Sequence, residues 1–271
     1  MNRWAKESIK LAADEGYLDK LSKVYPVPEP TPRKISKETI EEIRKWHRKE
    51  DAPRLIGALL KLKKFPFDDI YVGYLKLDRE SVYSNPKTVE RIASRLFDMD
   101  ADDIIELAKQ PKVANRQMGE LFQNWFMGLP YPKVDEDTFR DEDFERDLNG
   151  KKQTILIYNG SRKEMKAFAN TELDSALAKE PDLLVKVNGQ YLIGEAKFLS
   201  AFGGHQARSL DDAIDTFLLS AKGEASRVAI IDGVVWLDRD TKECKKVRTV
   251  NSDMMSALLL PKYLREIQEA S

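Results

Sequence analysis

The sequence predicts an α/β (α+β) protein in two parts, a large N-terminal helical region (residues 1–113) and a core in which helices and strands alternate (residues 114–271). Three observations carry that reading. Apolar residues recur at helical spacing through the first part. The character changes near residue 114, after which short apolar runs are bounded by turn residues. Within the second part, Asn188-Gly189 between two apolar runs marks a hairpin with a two-residue type I′ turn.

The elements follow in order. Residues 3–24 place Trp4, Ile9, Leu11, Ala12, Leu18 and Leu21 at helical spacing, and the proline-rich stretch 25–32, extended or a linker, ends that helix. Ser36 caps the next helix, with Glu41 and Glu42 toward its positive end. Helices are expected at 52–64, at 85–97 with Pro86 in the first turn, and at 101–109. Residues 115–127 form an amphipathic helix with Met118, Leu121, Phe122, Trp125 and Phe126 on its apolar face, stopped by Gly128 and Pro130. An acidic loop (135–147), a strand (154–158), a helix (164–178), the hairpin, a glycine hinge (202–206) and a helix (207–220) follow. A strand at 227–237, turned or bulged at Asp232-Gly233, precedes a final helix at 253–269 interrupted by Pro261.

Composition narrows the chemistry. A chain of 271 residues can bury a sizeable core. Cys244 is the single cysteine, so no intramolecular disulfide forms, and His47 and His205 are too few for a zinc-type cluster. No apolar run approaches the ~18 residues of a membrane span, and the N-terminus lacks the apolar core of a secretory signal. No membrane association and a cytoplasmic location are therefore expected. A formal net charge of −1 argues against a uniformly basic nucleic-acid binder, so contact with DNA must come from local patches. The strongest runs from Arg44 to Lys64, where Arg44, Lys45, Arg48, Lys49, Arg54, Lys61, Lys63 and Lys64 face only Glu50 and Asp51. It is either a solvated helical face or a phosphate-contacting surface.

The hairpin is the most informative segment. If the Asn188-Gly189 turn forms, Val187 pairs with Gln190, and counting outward brings Asp182 opposite Glu195. Alternation puts Lys197 on the face of Glu195 and turns Ala196 away. Like charges so placed repel each other, and a hard divalent cation with oxygen ligands relieves the conflict. An acid two residues before a lysine also occurs at Glu164-Met165-Lys166, Asp240-Thr241-Lys242 and Glu243-Cys244-Lys245. Only the copy at Glu195 ends an apolar strand run and faces a Pro181-Asp182 across a turn.

Pro181-Asp182 with Glu195-Ala196-Lys197 resembles the PD-(D/E)xK signature of the restriction-endonuclease-like nucleases, and the order of elements over about 114–238 is similar to the core of that superfamily. The resemblance implies a mixed central β-sheet flanked by helices and magnesium-dependent hydrolysis of phosphodiester bonds. It implies Mg2+ held by Asp182, Glu195 and the carbonyl of Ala196, with Lys197 orienting or activating a water or neutralising developing charge. It further implies an acid from the preceding helix, Glu120, which periodicity places away from the apolar face as a cleft-facing ligand or a solvated residue. His205 and Gln206 follow the signature strand, where relatives often carry a polar residue that supports the lysine or touches phosphate. Glu180 pairs with Lys197 only if the ladder continues past Pro181. No Gly-x-x-x-x-Gly-Lys-Ser/Thr phosphate loop occurs.

A chain of this size with a large helical portion looks most like a type II restriction endonuclease. That resemblance implies double-stranded DNA as substrate, a homodimer for cutting both strands, and a cognate DNA methyltransferase acting on the same site without a stable complex. The helical region would then embrace DNA, set specificity or join subunits, with Arg44, Lys45, Arg48 and Lys49 as phosphate contacts. A repair or junction-resolving nuclease, a non-catalytic DNA-binding protein on the same fold, and a helical interaction protein with a fortuitous hairpin are the alternatives.

Overall fold

The computed structural model describes residues 1–26, 29, 31–111, 118–141, 154–220 and 222–270. The chain separates into two compact units, residues 1–27 with 114–271, and residues 28–113. The division falls inside the proline-rich stretch, where repeated prolines deny the backbone its helical and ladder hydrogen bonds. Residues 1–27 are thereby moved from the helical region, where the sequence placed them, to the sheet-bearing unit. Their apolar face explains it: Trp4, Ala5, Tyr17, Leu21, Val24 and Tyr25 are buried in the same core as the strands.

The smaller unit is all helix in its described residues: α3 (Lys37–Arg48), α4 (Ala52–Leu60), α5 (Val72–Leu77), α6 (Ser81–Ser84), α7 (Pro86–Phe97) and α8 (Ala101–Lys109). Ser36 caps α3 by accepting from the Thr39 N–H, and Pro86 opens α7, as expected. The helix expected at 52–64 stops at Leu60, and α5 and α6 lie where no helix was expected. Both are too short to show a helical period of their own.

In the larger unit, the expected helix at 3–24 is two, α1 (Arg3–Ala13) and α2 (Tyr17–Leu21), separated at Asp14-Glu15-Gly16. Helices α9 (Met118–Met127), α10 (Glu136–Arg140), α11 (Arg162–Thr171), α12 (Gly204–Asp211), α13 (Lys242–Thr249) and α14 (Leu260–Ala270) surround a six-stranded mixed sheet. The strands run in sequence order: β1 (Lys133–Val134), β2 (Ile155–Tyr158), β3 (Leu183–Val187), β4 (Gln190–Leu199), β5 (Ser226–Gly233) and β6 (Met254–Met255). Pairs β2/β3 and β3/β4 are antiparallel, whereas β1/β2, β4/β5 and β5/β6 are parallel. Central strand β3 is buried throughout and does not alternate; its one charged residue, Lys186, is buried with its ammonium donating to the Phe139 carbonyl at 3.1 Å.

Several boundaries differ from expectation for local reasons. The start of the acidic loop is helix α10, capped by Asp135, and residues 142–153 lie outside the described set, as do 112–117 before α9. Helix α11 begins at Arg162 because Ser161 and Glu164 form a capping box. Helix α12 passes into a π-helical segment, Asp212–Leu218. Strand β5 ends at Gly233, after which Val234–Trp236 forms a 3-10 turn, so Asp232-Gly233 ends the strand. Thr241 caps α13, which was not expected, and Pro261 lies in the first turn of α14 instead of interrupting a longer helix. Among the described residues no helix is long and apolar enough to cross a membrane.

Candidate active site

Asn188 and Gly189 take φ of 46° and 85°, the paired left-handed conformation of a type I′ turn. The turn sets the observed register, from Val187↔Gln190 to Leu183↔Gly194. A Cβ placed on Gly194 would lie 2.6 Å from the Leu183 Cγ, so these two positions share a face. Glu195 and Lys197 therefore occupy the other face, where the Lys197 ammonium bonds the Glu195 carboxylate.

The ladder stops one step before Asp182 and Glu195. Pro181 has no N–H to give strand β4. The Asp182 N–H donates to the Gly194 carbonyl at 2.8 Å, and its Oδ2 accepts from the Ala196 N–H at 2.7 Å. The carboxylate of Asp182 thus accepts the Ala196 N–H in the place where a strand carbonyl would otherwise do so. Because the N–H and C=O of one strand residue point to the same side, the Ala196 carbonyl also faces Asp182, and Pro181 offers it no donor.

Both acids are buried, Asp182 to 3% and Glu195 to 7% exposure, and a buried carboxylate must be compensated. Each has its own cation. Arg162, at the first position of α11, ion-pairs with Asp182 Oδ1, while Lys197 holds Glu195. The Gln123 side-chain amide donates to the Asp182 carbonyl and joins α9 to the site. Glu195 also lines a cavity with Lys179, Asp212, Thr216, Ser220 and Arg227. There Lys179 bonds Asp212 at 2.6 Å. That bond raises the lysine pKa, with the charge of Glu195 adding to it, and lowers that of Asp212, with Lys197 and His205 adding.

Two buried carboxylates and a lysine thus lie where the antiparallel ladder gives way. A model of the Tsp45I type II restriction enzyme family matches residues 2–267. The chain belongs to that family. Its activity is that of a site-specific deoxyribonuclease acting on DNA, which decides among the readings the sequence left open. The match spans both units, so the helical residues 28–113 are part of the enzyme's family core and not an appended module. No curated protein and no solved structure matches the chain.

Type II restriction enzymes generally use a divalent metal. The donor set at the hairpin suits one: two buried carboxylates and the Ala196 carbonyl are hard oxygen ligands. Among the described residues no group of three or more His, Cys, Asp and Glu side chains is arranged to hold a metal.

The remaining residues named from sequence are dispersed. Glu120 is exposed on α9 and lines a cavity with Gln123, Gly160, Ser161 and Arg162, which brings it beside the counter-ion of Asp182. His205 is exposed at the start of α12, its Nδ1 3.4 Å from the Ser209 hydroxyl, and the Gln206 amide donates to the Ser200 hydroxyl at 3.4 Å. In the helical unit, Arg44 is committed to Asp102 at 2.8 Å. Lys45, Lys49 and Arg54 gather around the Trp46 ring at 4.3, 5.7 and 4.6 Å, and Arg48 is exposed. None of the three competing tripeptides lies in a strand: Glu164 serves the capping box of α11, Glu243-Cys244-Lys245 lies in α13, and Asp240-Thr241-Lys242 leads into α13. Sequence reading missed Arg162, Gln123, Lys179 and Asp212. The Ser161-x-x-Glu164 capping signature was the available clue to Arg162, since it fixes the helix start.

Proposed function

We propose that Asp182, Glu195 and Lys197 form the hydrolytic centre of this type II restriction endonuclease, with Mg2+ as the metal. The observation that carries the reading is the end of the β3/β4 ladder, where Asp182 turns its carboxylate onto the Ala196 N–H of strand β4 beside the Glu195–Lys197 pair. Asp182, Glu195 and the Ala196 carbonyl would hold the ion. When bound, it supplies positive charge that polarises the scissile phosphate and makes water a better nucleophile. Lys197, on the face of Glu195, orients the attacking water and offsets charge developing on the phosphate. Glu120 is retained as a water-mediated contributor to the same metal shell, since it shares a cavity with Arg162 and Gln123, both of which touch Asp182.

His205 and Gln206 lie at the end of the segment that follows β4, where they suit contact with phosphates flanking the cut. Residues 28–113 serve DNA recognition or subunit contact. Their phosphate contacts come from Lys45, Arg48 and Lys49, with Arg44 contributing only once released from Asp102. Cleavage of both strands of a symmetric double-stranded site calls for a homodimer. A cognate methyltransferase protects the same sequence without a stable complex, and the enzyme works in the cytoplasm.

Plasmid DNA incubated with Mg2+, with and without EDTA, tests the reading. Discrete fragments that vanish with EDTA and with Asp182→Ala are the expected result. A smear or junction-only cutting would point to a different nuclease, and discrete bands that survive Asp182→Ala would overturn the assignment of the site.

A further inference from the structure

Among the described residues Arg162 is the one cation ion-paired with Asp182, and its setting is unusual. It occupies the first position of α11, where the helix favours negative charge and disfavours a guanidinium. The capping box of Ser161 and Glu164 already satisfies the helix start, so Asp182 is what holds Arg162 there. The partners also differ in exposure: the Asp182 side chain is 5% exposed and that of Arg162 40%. The arginine can leave and the aspartate cannot. An open cavity lined by Glu120, Gln123 and Ser161 gives the guanidinium room to move. With Lys197 on Glu195 and Arg162 on Asp182, the two carboxylates are neutralised before any metal arrives. Adding a divalent ion would set three cationic groups on two acids.

We infer that Arg162 is a displaceable counter-ion: it holds Asp182 in the metal-free enzyme, competes with the divalent ion for that carboxylate, and passes to a DNA phosphate when DNA binds. A phosphate is a suitable acceptor because its oxygens take a guanidinium bidentately. DNA then relieves the competition and metal relieves the hold on Arg162, so each strengthens the binding of the other by the same factor. Arg162 acts as a positioning residue, and the inference rests on Asp182 being a metal ligand.

The test is Ca2+ binding by the full chain, measured by calorimetry with and without a short duplex oligonucleotide, for wild type, Arg162→Gln, Arg162→Lys and Asp182→Ala. Without DNA, Arg162→Gln is expected to bind Ca2+ more tightly than wild type, by a factor in the roughly 5- to 150-fold range usual for coupled ligands. Arg162→Lys should fall between them. The duplex should tighten Ca2+ binding in wild type and do so far less in Arg162→Gln. Unchanged or weaker Ca2+ affinity in an Arg162→Gln protein of wild-type circular dichroism would overturn the inference, and so would wild-type affinity that ignores the duplex, an arm that needs no variant. Loss of binding in Asp182→Ala with no gain in Arg162→Gln would sink the inference alone. Wild-type binding in Asp182→Ala would sink the site assignment with it.

Discussion

Lys197 bonds Glu195 and Arg162 bonds Asp182, so each catalytic candidate can be altered without leaving a bare buried charge unless the acid itself is kept and its cation removed. Asp182→Asn and Glu195→Gln are each expected to lower the DNA cleavage rate by about 100- to 10,000-fold with the fold retained, measured by single-turnover cleavage, whereas Lys197→Met should lower the rate and also the melting temperature, because it strips the buried Glu195 of its cation. Gly194 is a packing position: any Cβ there meets Leu183. Gly194→Val should cost roughly 1–3 kcal/mol in denaturant unfolding and displace the strand that carries Glu195.

Asp232 is fully buried at the end of β5, accepting from the Tyr25 hydroxyl at 2.8 Å, the Ser256 hydroxyl at 2.5 Å and the Ala257 N–H at 3.1 Å. Burial outweighs these bonds and pushes its pKa up to about 6. The folded state thus binds the proton more tightly than the unfolded chain. The stabilisation is fully present below about pH 4 and is lost as pH rises through about 6, a change of roughly 3 kcal/mol for a shift of about two pKa units. Asp232→Asn should flatten that part of the stability profile, read from melting temperatures between pH 4 and 7.5. The register of the hairpin and the shared face of Glu195 and Lys197 were readable because two short-range rules, turn type and strand alternation, suffice to derive them. Arg162 and Asp232 were not, because their partners are set by how distant elements pack.

At the scale of elements, the hairpin is specified by its turn. Gly189 holds a φ of 85°, so Gly189→Val should weaken the register and with it the site, costing about 1–2 kcal/mol at the backbone alone. Reduced melting temperature and reduced cleavage are expected together. Helices with strong caps or prolines at their start, such as α3 and α7, were readable to within a residue or two. Helices α5 and α6 were not, because four to six residues carry no period. The two-residue strands β1 and β6 escaped for the same reason, although β6 completes the sheet beside β5.

For the whole molecule, the division into two units changes what a truncation does. Residues 1–27 supply Trp4, Tyr17, Leu21 and Tyr25 to the core of the sheet-bearing unit. Deleting residues 1–25 should therefore abolish cooperative unfolding of that unit and its cleavage activity, whereas a boundary at 113 drawn from the sequence would have made the deletion harmless to it. The proline-rich stretch was legible as a linker, but the side to which residues 1–27 return is a long-range fact that no local pattern encodes.

The start of the chain is fastened to its end at several points. The Asn2 side chain bonds Asp253 at 2.9 Å, Arg3 bonds Glu266 at 2.8 Å, and the Ser8 hydroxyl accepts from the Ser256 N–H at 2.9 Å. Such contacts between the first and last residues form only after synthesis has passed them, because loop closure must await both partners. A chain still on the ribosome lacks β6 and the partners of α1, and a chain cut short before residue 250 never gains them. The contacts of α1 and the strand β6 are thereby made late, once residues 253–266 are present to close them.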